Sequence, residues 1–217
     1  MLKYKVFYVN PIRSCSYLVW DETGECAVID AGYRNACEFS RLVKAVEVDG
    51  LKSPSMVLLT HCHFDHVMGL SFLEAQWNPL ICYSQRDAYL LQDLPAVCES
   101  YYIPGISQPA LKNVLHIDDG FNAAFGSTSF QVLSTPGHTP GGLCFYDSAD
   151  SAVFTGDSLF EGSIGRTDFQ GGNCEQLISC LQAKIMVLPT ATRVFPGHGY
   201  PTTVGQELTS NPYLRQH

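Results

Sequence analysis

The chain has 217 residues, 46% of them hydrophobic and 16% charged, with a formal net charge of −8. That apolar fraction excludes intrinsic disorder, and an acidic balance without clustered lysine or arginine sets nucleic acid aside as a partner. No apolar run reaches the length of a membrane span, and the nine cysteines, odd in number and without a C-x-x-C pair, read as reduced thiols of a cytoplasmic protein.

Taken in chain order, Met1 to Val9 is basic and then apolar, like a secretion signal. It is short and runs into Asn10-Pro11 without a small-residue cleavage site, so a first strand over Tyr4–Val9 is expected. Short apolar strands follow at Ser16–Trp20 and Cys26–Ile29, and then a helix at Ala36–Val48 with Phe39, Leu42, Val43 and Val46 on one face. Met56-Val57-Leu58-Leu59 is a β-type run that stops at Thr60-His61-Cys62-His63-Phe64-Asp65-His66, and Val67–Leu73 reads as the start of a helix. The proline-rich segment from Leu94 to Pro109 reads as a surface connection whose aromatics cover the core, with a lid over a pocket as the alternative. A helix over Cys174–Met186, with Leu177, Ile178 and Leu181 inward, stops before Pro189, and a short helix begins at Val204. No Pro/Gly/Ser-rich linker interrupts the series, so residues 1–217 are expected to form a single domain.

Three imidazoles and a carboxylate within Thr60–His66 form a metal-binding pattern rather than a packing one. Side chains two apart on extended backbone share a face, which puts His61 and His63 on one ion and turns Cys62 away from it. A helical turn near His66 swings Asp65 and His66 toward a second position. The same local grammar recurs: Phe130-Gln131-Val132-Leu133 runs into Thr135-Pro136-Gly137-His138, Ala152-Val153-Phe154 into Thr155-Gly156-Asp157, and Arg193-Val194-Phe195 into Pro196-Gly197-His198. Glycine just before the ligand lets the backbone turn sharply and approach an ion. Four strand ends are therefore expected to converge on one edge of a sheet. The donors divide into His61, His63 and His138 for one metal and Asp65, His66 and His198 for another, with Asp157 able to bridge them. In the glycine-rich loop after Asp157, Arg166 either meets a substrate carboxylate or pairs with Asp168.

Together, T-H-x-H-x-D-H, P-G-H-T, T-G-D and the closing P-G-H-G resemble the metallo-β-lactamase superfamily, and within it the hydrolases similar to glyoxalase II. The resemblance runs from Asn10-Pro11 to Asn211-Pro212. It implies an α/β (α+β) fold, a four-layer αββα sandwich with a dinuclear site between two sheets. It also implies two divalent metal ions, zinc with iron or manganese as alternatives, and a small acyl thioester as substrate, S-lactoylglutathione or a related thiol ester. In that chemistry a hydroxide held between two cations about 3.5 to 4 Å apart attacks the carbonyl, with Asp65 and Asp157 as catalytic carboxylates and Arg166 as a substrate contact. Larger glyoxalase II enzymes add a C-terminal helical region that helps hold glutathione, and this sequence stops before one. It also reads Gly165-Arg166-Thr167-Asp168 where those enzymes have a glutathione-touching lysine and tyrosine, so the thioester class is implied without fixing the thiol.

The chain is also similar to the persulfide dioxygenases of the superfamily in its Gly165–Phe169 run. Those enzymes use a single iron held by two histidines and an aspartate, which would leave Asp65, His66 and His198 without metal. Gly199 and Thr202-Thr203-Val204-Gly205 match the hydrolase-like ending, where dioxygenases usually have aspartate. A lactonase and a non-catalytic metal binder are the remaining alternatives; the latter would be expected to have lost a ligand, and none of the seven is missing.

Overall fold

Successive side chains of a strand point to opposite faces, and that alternation explains the layering in the computed structural model, which describes residues 1–215. The first sheet sets β1 (Lys3–Val9), β2 (Ser14–Trp20), β3 (Cys26–Ile29), β4 (Met56–Leu58), β5 (Leu80–Tyr83) and β6 (Val114–His116) side by side in chain order. The first three are antiparallel and joined by short turns; from β3 onward the pairs are parallel and need crossovers. These crossovers carry α1 (Ala36–Val48), then α2 (Phe64–Val67) and α3 (Leu70–Gln76), then a 3₁₀ segment (Gln85–Leu91) and α4 (Leu94–Ser100).

The second sheet is built from β7 (Asn122–Phe125), β8 (Thr128–Ser134), β9 (Leu143–Asp147) and β10 (Ala152–Gly156), an antiparallel series. A two-stranded ribbon, β11 (Leu159–Phe160) with β12 (Ser163–Ile164), and helix α5 (Cys174–Cys180) come before β13 (Arg193–Pro196), which pairs parallel with β10. β14 (Thr202–Thr203) closes the edge, and α6 (Val204–Ser210) follows.

Three apolar clusters separate four layers. Along β3, Cys26 and Val28 join the cluster that holds Phe39 and Leu42 of α1, whereas Ala27 and Ile29 join the cluster between the sheets. Along β9, Leu143 and Phe145 face that same central cluster, and Cys144 and Tyr146 face Leu177 and Leu181 beneath α5. The central layer is held by aromatic contacts: Phe154 stacks on Phe195 at 4.9 Å, and Tyr17 of the opposite sheet meets Phe154 edge-on at 5.1 Å. Burying a side chain of that size contributes about 1.5–3 kcal/mol. The αββα sandwich expected from the resemblance is therefore present.

Three expectations need correction. The helix over Cys174–Met186 is α-helical only to Cys180; Leu181–Ile185 winds as a π-helix, and Ile178 is only partly buried. The helical stretch around Val67 is two short helices divided at Gly69, and His66 lies within the first. The proline-rich segment opens with α4, whose Pro95 falls in the first turn, where a missing N–H costs nothing. Val97 and Tyr101 from this segment line a cavity, so it forms part of a pocket wall. No helix among the described residues is long and apolar enough to cross a membrane.

Candidate metal centre

The seven donors singled out in the sequence come together, although from two sheets rather than one sheet edge. His61, His63, Asp65 and His66 follow β4 of the first sheet; His138, Asp157 and His198 follow β8, β10 and β13 of the second, three strands that run the same way. Backbone hydrogen bonds join the two halves where they meet: the Leu143 N–H donates to the Thr60 carbonyl, and the Cys15 N–H to the Gly197 carbonyl, both at 2.7 Å.

Within this edge, His61, His63 and His138 form one group able to hold a cation and Asp65, His66 and His198 another, the ligand atoms of each lying within 4.8 Å of one another. His63 Nδ1 is 2.9 Å from His138 Nε2, and His66 Nε2 is 3.3 Å from His198 Nε2 and 3.3 Å from Asp65 Oδ2. Asp157 stands between the groups. Its Oδ1 is 3.4 Å from His66 Nε2, and its Oδ2 is 3.6 Å from both His138 Nε2 and His198 Nε2. Gly197 makes this possible, because a Cβ there would collide with Asp157 Oδ1.

Outer partners fix the imidazoles. His138 Nδ1 donates to the Arg166 carbonyl at 2.7 Å, and His66 Nδ1 to Asp30 Oδ2 at 2.8 Å. The Thr60 hydroxyl donates to Asp30 Oδ2 at 2.8 Å and so receives the proton of His61 Nδ1, 3.1 Å away. In all three rings the proton is thus assigned to Nδ1, and a bare Nε2 faces the cluster, the arrangement metal-binding histidines use. Ser14 Oγ donates to Asp65 Oδ2 at 2.7 Å, and Asn10 Nδ2 to the Asp65 carbonyl at 2.9 Å.

The cluster fits cations on its own atoms. His61 Nε2 and Asp157 Oδ1 are buried without a hydrogen-bond partner, and each such orphan costs about 1–3 kcal/mol. Imidazole nitrogens mixed with carboxylate oxygens suit zinc, iron or manganese. The charges agree. Burial opposes a proton on His66, yet Asp65, Asp157 and Asp30 outweigh it and hold that imidazole well above its ordinary range. Burial likewise pushes Asp65 and Asp157 up, and His66 with the surrounding hydrogen bonds holds both below the usual carboxylate range. His61 is driven down by burial and then by neighbouring imidazoles, and His63, for the same reasons, falls to about 4.

The cluster opens into a cavity of about 590 Å³, walled by Ile12, Phe64, Leu90, Val97, Tyr101 and Phe169. Arg166 lies on this wall. Its guanidinium grips Asp168 through Nε at 3.0 Å and Nη2 at 2.8 Å and sits 4.5 Å over the Phe169 ring. The Cys62 side chain is buried in the apolar cluster that holds Phe39 and Leu42 of α1. Asp30 and Asp87 carry supporting hydrogen bonds that the sequence reading did not assign. Asp30 had one usable signal, an acidic residue directly after the apolar strand β3; it takes a left-handed φ of 57°, the kind of strain that a functional site retains.

A family model described as the metallo-beta-lactamase superfamily matches residues 10–198. Hydroxyacylglutathione hydrolase GloC of Haemophilus influenzae is 36% identical over 203 residues, covering 93% of this chain and 92% of that protein. Among solved structures, BLEG-1, a B3 metallo-beta-lactamase, superposes with a TM-score of 0.86 at 31% identity, covering 99% of this chain and all of that one. TTHA1623, determined in a di-iron-bound form, superposes with a TM-score of 0.85 at 35% identity, covering 97% and 100%.

Proposed function

The chain belongs to the metallo-β-lactamase superfamily, and from that membership we propose that it is a dinuclear metal-dependent hydrolase of small acyl thioesters. The observation that carries this reading is the pair of three-residue groups with Asp157 between them, in which His61 Nε2 and Asp157 Oδ1 are buried and unpartnered. His61, His63 and His138 would hold one ion, Asp65, His66 and His198 the other, and Asp157 both. Two such ions would lower the pKa of a bound water toward about 7 and polarise a carbonyl oxygen.

The protein's own groups do the rest. Asp65 and Asp157 are the proposed catalytic carboxylates: both line the cavity, where each would orient a water facing the substrate. The apolar wall excludes water and receives an uncharged acyl or thiol arm. Arg166 is the proposed contact for a substrate carboxylate; its guanidinium pairs with Asp168 and lies over Phe169 on the cavity wall. A thiolate leaves without a strong proton donor, which favours thioesters here. The Haemophilus relative, named a hydroxyacylglutathione hydrolase, supports the same substrate class. Residues 1–217 are read as one catalytic unit because both sheets contribute donors, and a cytoplasmic setting agrees with cysteines used mostly as buried core side chains.

The test is a panel of S-lactoylglutathione, acyl thioesters of neutral thiols, a lactone and a β-lactam, with oxygen uptake on a persulfide run in parallel. Thioester turnover that stops on chelation and returns with zinc, iron or manganese is the expected result. Turnover of only the β-lactam or lactone, or oxygen consumption in place of thioester hydrolysis, overturns it.

A further inference from the structure

Asp87 lies in the first turn of the 3₁₀ segment and is fully buried. A buried carboxylate is costly unless each oxygen is hydrogen-bonded. Here Oδ2 accepts from the Cys62 N–H at 3.2 Å and the Thr139 hydroxyl at 2.8 Å, and Oδ1 accepts from the Gly141 N–H at 2.6 Å. Gly141 has no side chain to spare for this contact: a Cβ there would lie 2.6 Å from Asp87 Oδ1.

The donors identify what the carboxylate does. Cys62 stands between His61 and His63, and Thr139 directly follows His138. One carboxylate thus ties the loop after β4 of the first sheet to the loop after β8 of the second. These are the two loops that deliver the three-histidine group. Among the described residues no lysine or arginine pairs with Asp87, so no ion pair offsets its burial. A well-packed apolar side chain would serve stability at least as well. The other group has separate supports, Ser14 and Asn10 on Asp65 and Asp30 on His66.

We propose that Asp87 is a positioning residue that locks the His61/His63 loop to the His138 loop and so sets the metal affinity of the three-histidine position selectively. This rests on the dinuclear reading above. Partners that hold metal ligands in place change metal affinity by about 10–100-fold when removed, so the effect is a loss at one of two binding steps.

The experiment is titration of the metal-stripped full chain with zinc in competition with a chromophoric chelator, alongside circular-dichroism melts. Asp87→Ala is expected to leave one binding step as in wild type and weaken the other about 10–100-fold. Asp87→Asn, which keeps an acceptor for Gly141 but turns an amide toward the Cys62 N–H, falls between. Thr139→Val deletes one donor at nearly constant volume and weakens the same step several-fold; it decides the matter should Asp87→Ala not fold. Unchanged zinc binding in Asp87→Ala and Thr139→Val, or equal weakening of both steps, overturns the proposal. Fewer than two zinc ions on the wild type overturns the dinuclear reading instead. Asp87 is then judged on the remaining ion, where affinities unchanged by both variants refute its role.

Discussion

The two sheets deliver the site in opposite ways. The first sheet presents His61, His63, Asp65 and His66 from one loop and one helical turn after β4, so four donors depend on a single local conformation. The second presents His138, Asp157 and His198 singly, each at the end of a different strand, so their meeting depends on the register of β8, β10 and β13. Local chain geometry is enough to build the first half, and only the whole sheet can build the second. Asp157 of the second sheet stands between the two ligand groups, and the sheets are bound together there by backbone contacts and by Asp87.

That contrast can be broken most forcefully at Asp157. If it serves both groups, Asp157→Ala lowers kcat/KM at least about a thousandfold, roughly 4 kcal/mol, and lowers metal content as well; near wild-type thioester turnover in metal-free buffer would refute its place. Removing metal from the wild type tests both ligand groups at once. Each ion at a hundred times its dissociation constant adds about 2.7 kcal/mol to the folded state, so removing both lowers Tm by about 10–20 °C for a chain of this length, read by a thermal melt with and without chelator.

A more local break is Asp30→Asn, which removes the anion behind His66 and Thr60 in the first sheet while leaving the second sheet's ligands untouched. Metal affinity is expected to fall about 10–100-fold, checked by chelator competition; an unchanged affinity would show that the loop after β4 needs no outer support. The smallest expected effect is at the rim. Arg166→Ala spares the carbonyl that holds His138, so KM rises about three- to tenfold with kcat retained, the pattern of lost uniform binding, as steady-state kinetics on a carboxylate-bearing thioester would register.

The same contrast explains what the sequence disclosed. The cluster at Thr60–His66 is legible because its donors are contiguous, and α1 is legible to the residue because Phe39, Leu42 and Val46 recur at helical spacing. His138, Asp157 and His198 were recognisable only through the repeated sequence of strand, glycine and ligand; that they come from the sheet opposite His61 is a matter of topology. α4 was missed because its proline-containing first turn follows Asp93 in a left-handed conformation and looks like loop. Asp87 left no trace at all: a lone acidic residue in a 3₁₀ turn has no periodicity or spacing, and its importance comes from donors 25 and 52 residues away.

The central claim is that both three-residue groups carry metal, and metal content of freshly purified intact protein, by elemental analysis against protein concentration, tests it most directly. Close to two ions per chain, of zinc or a zinc, iron and manganese mixture, is the result predicted. Close to one iron per chain would contradict it, because the group formed by Asp65, His66 and His198 would then hold no metal.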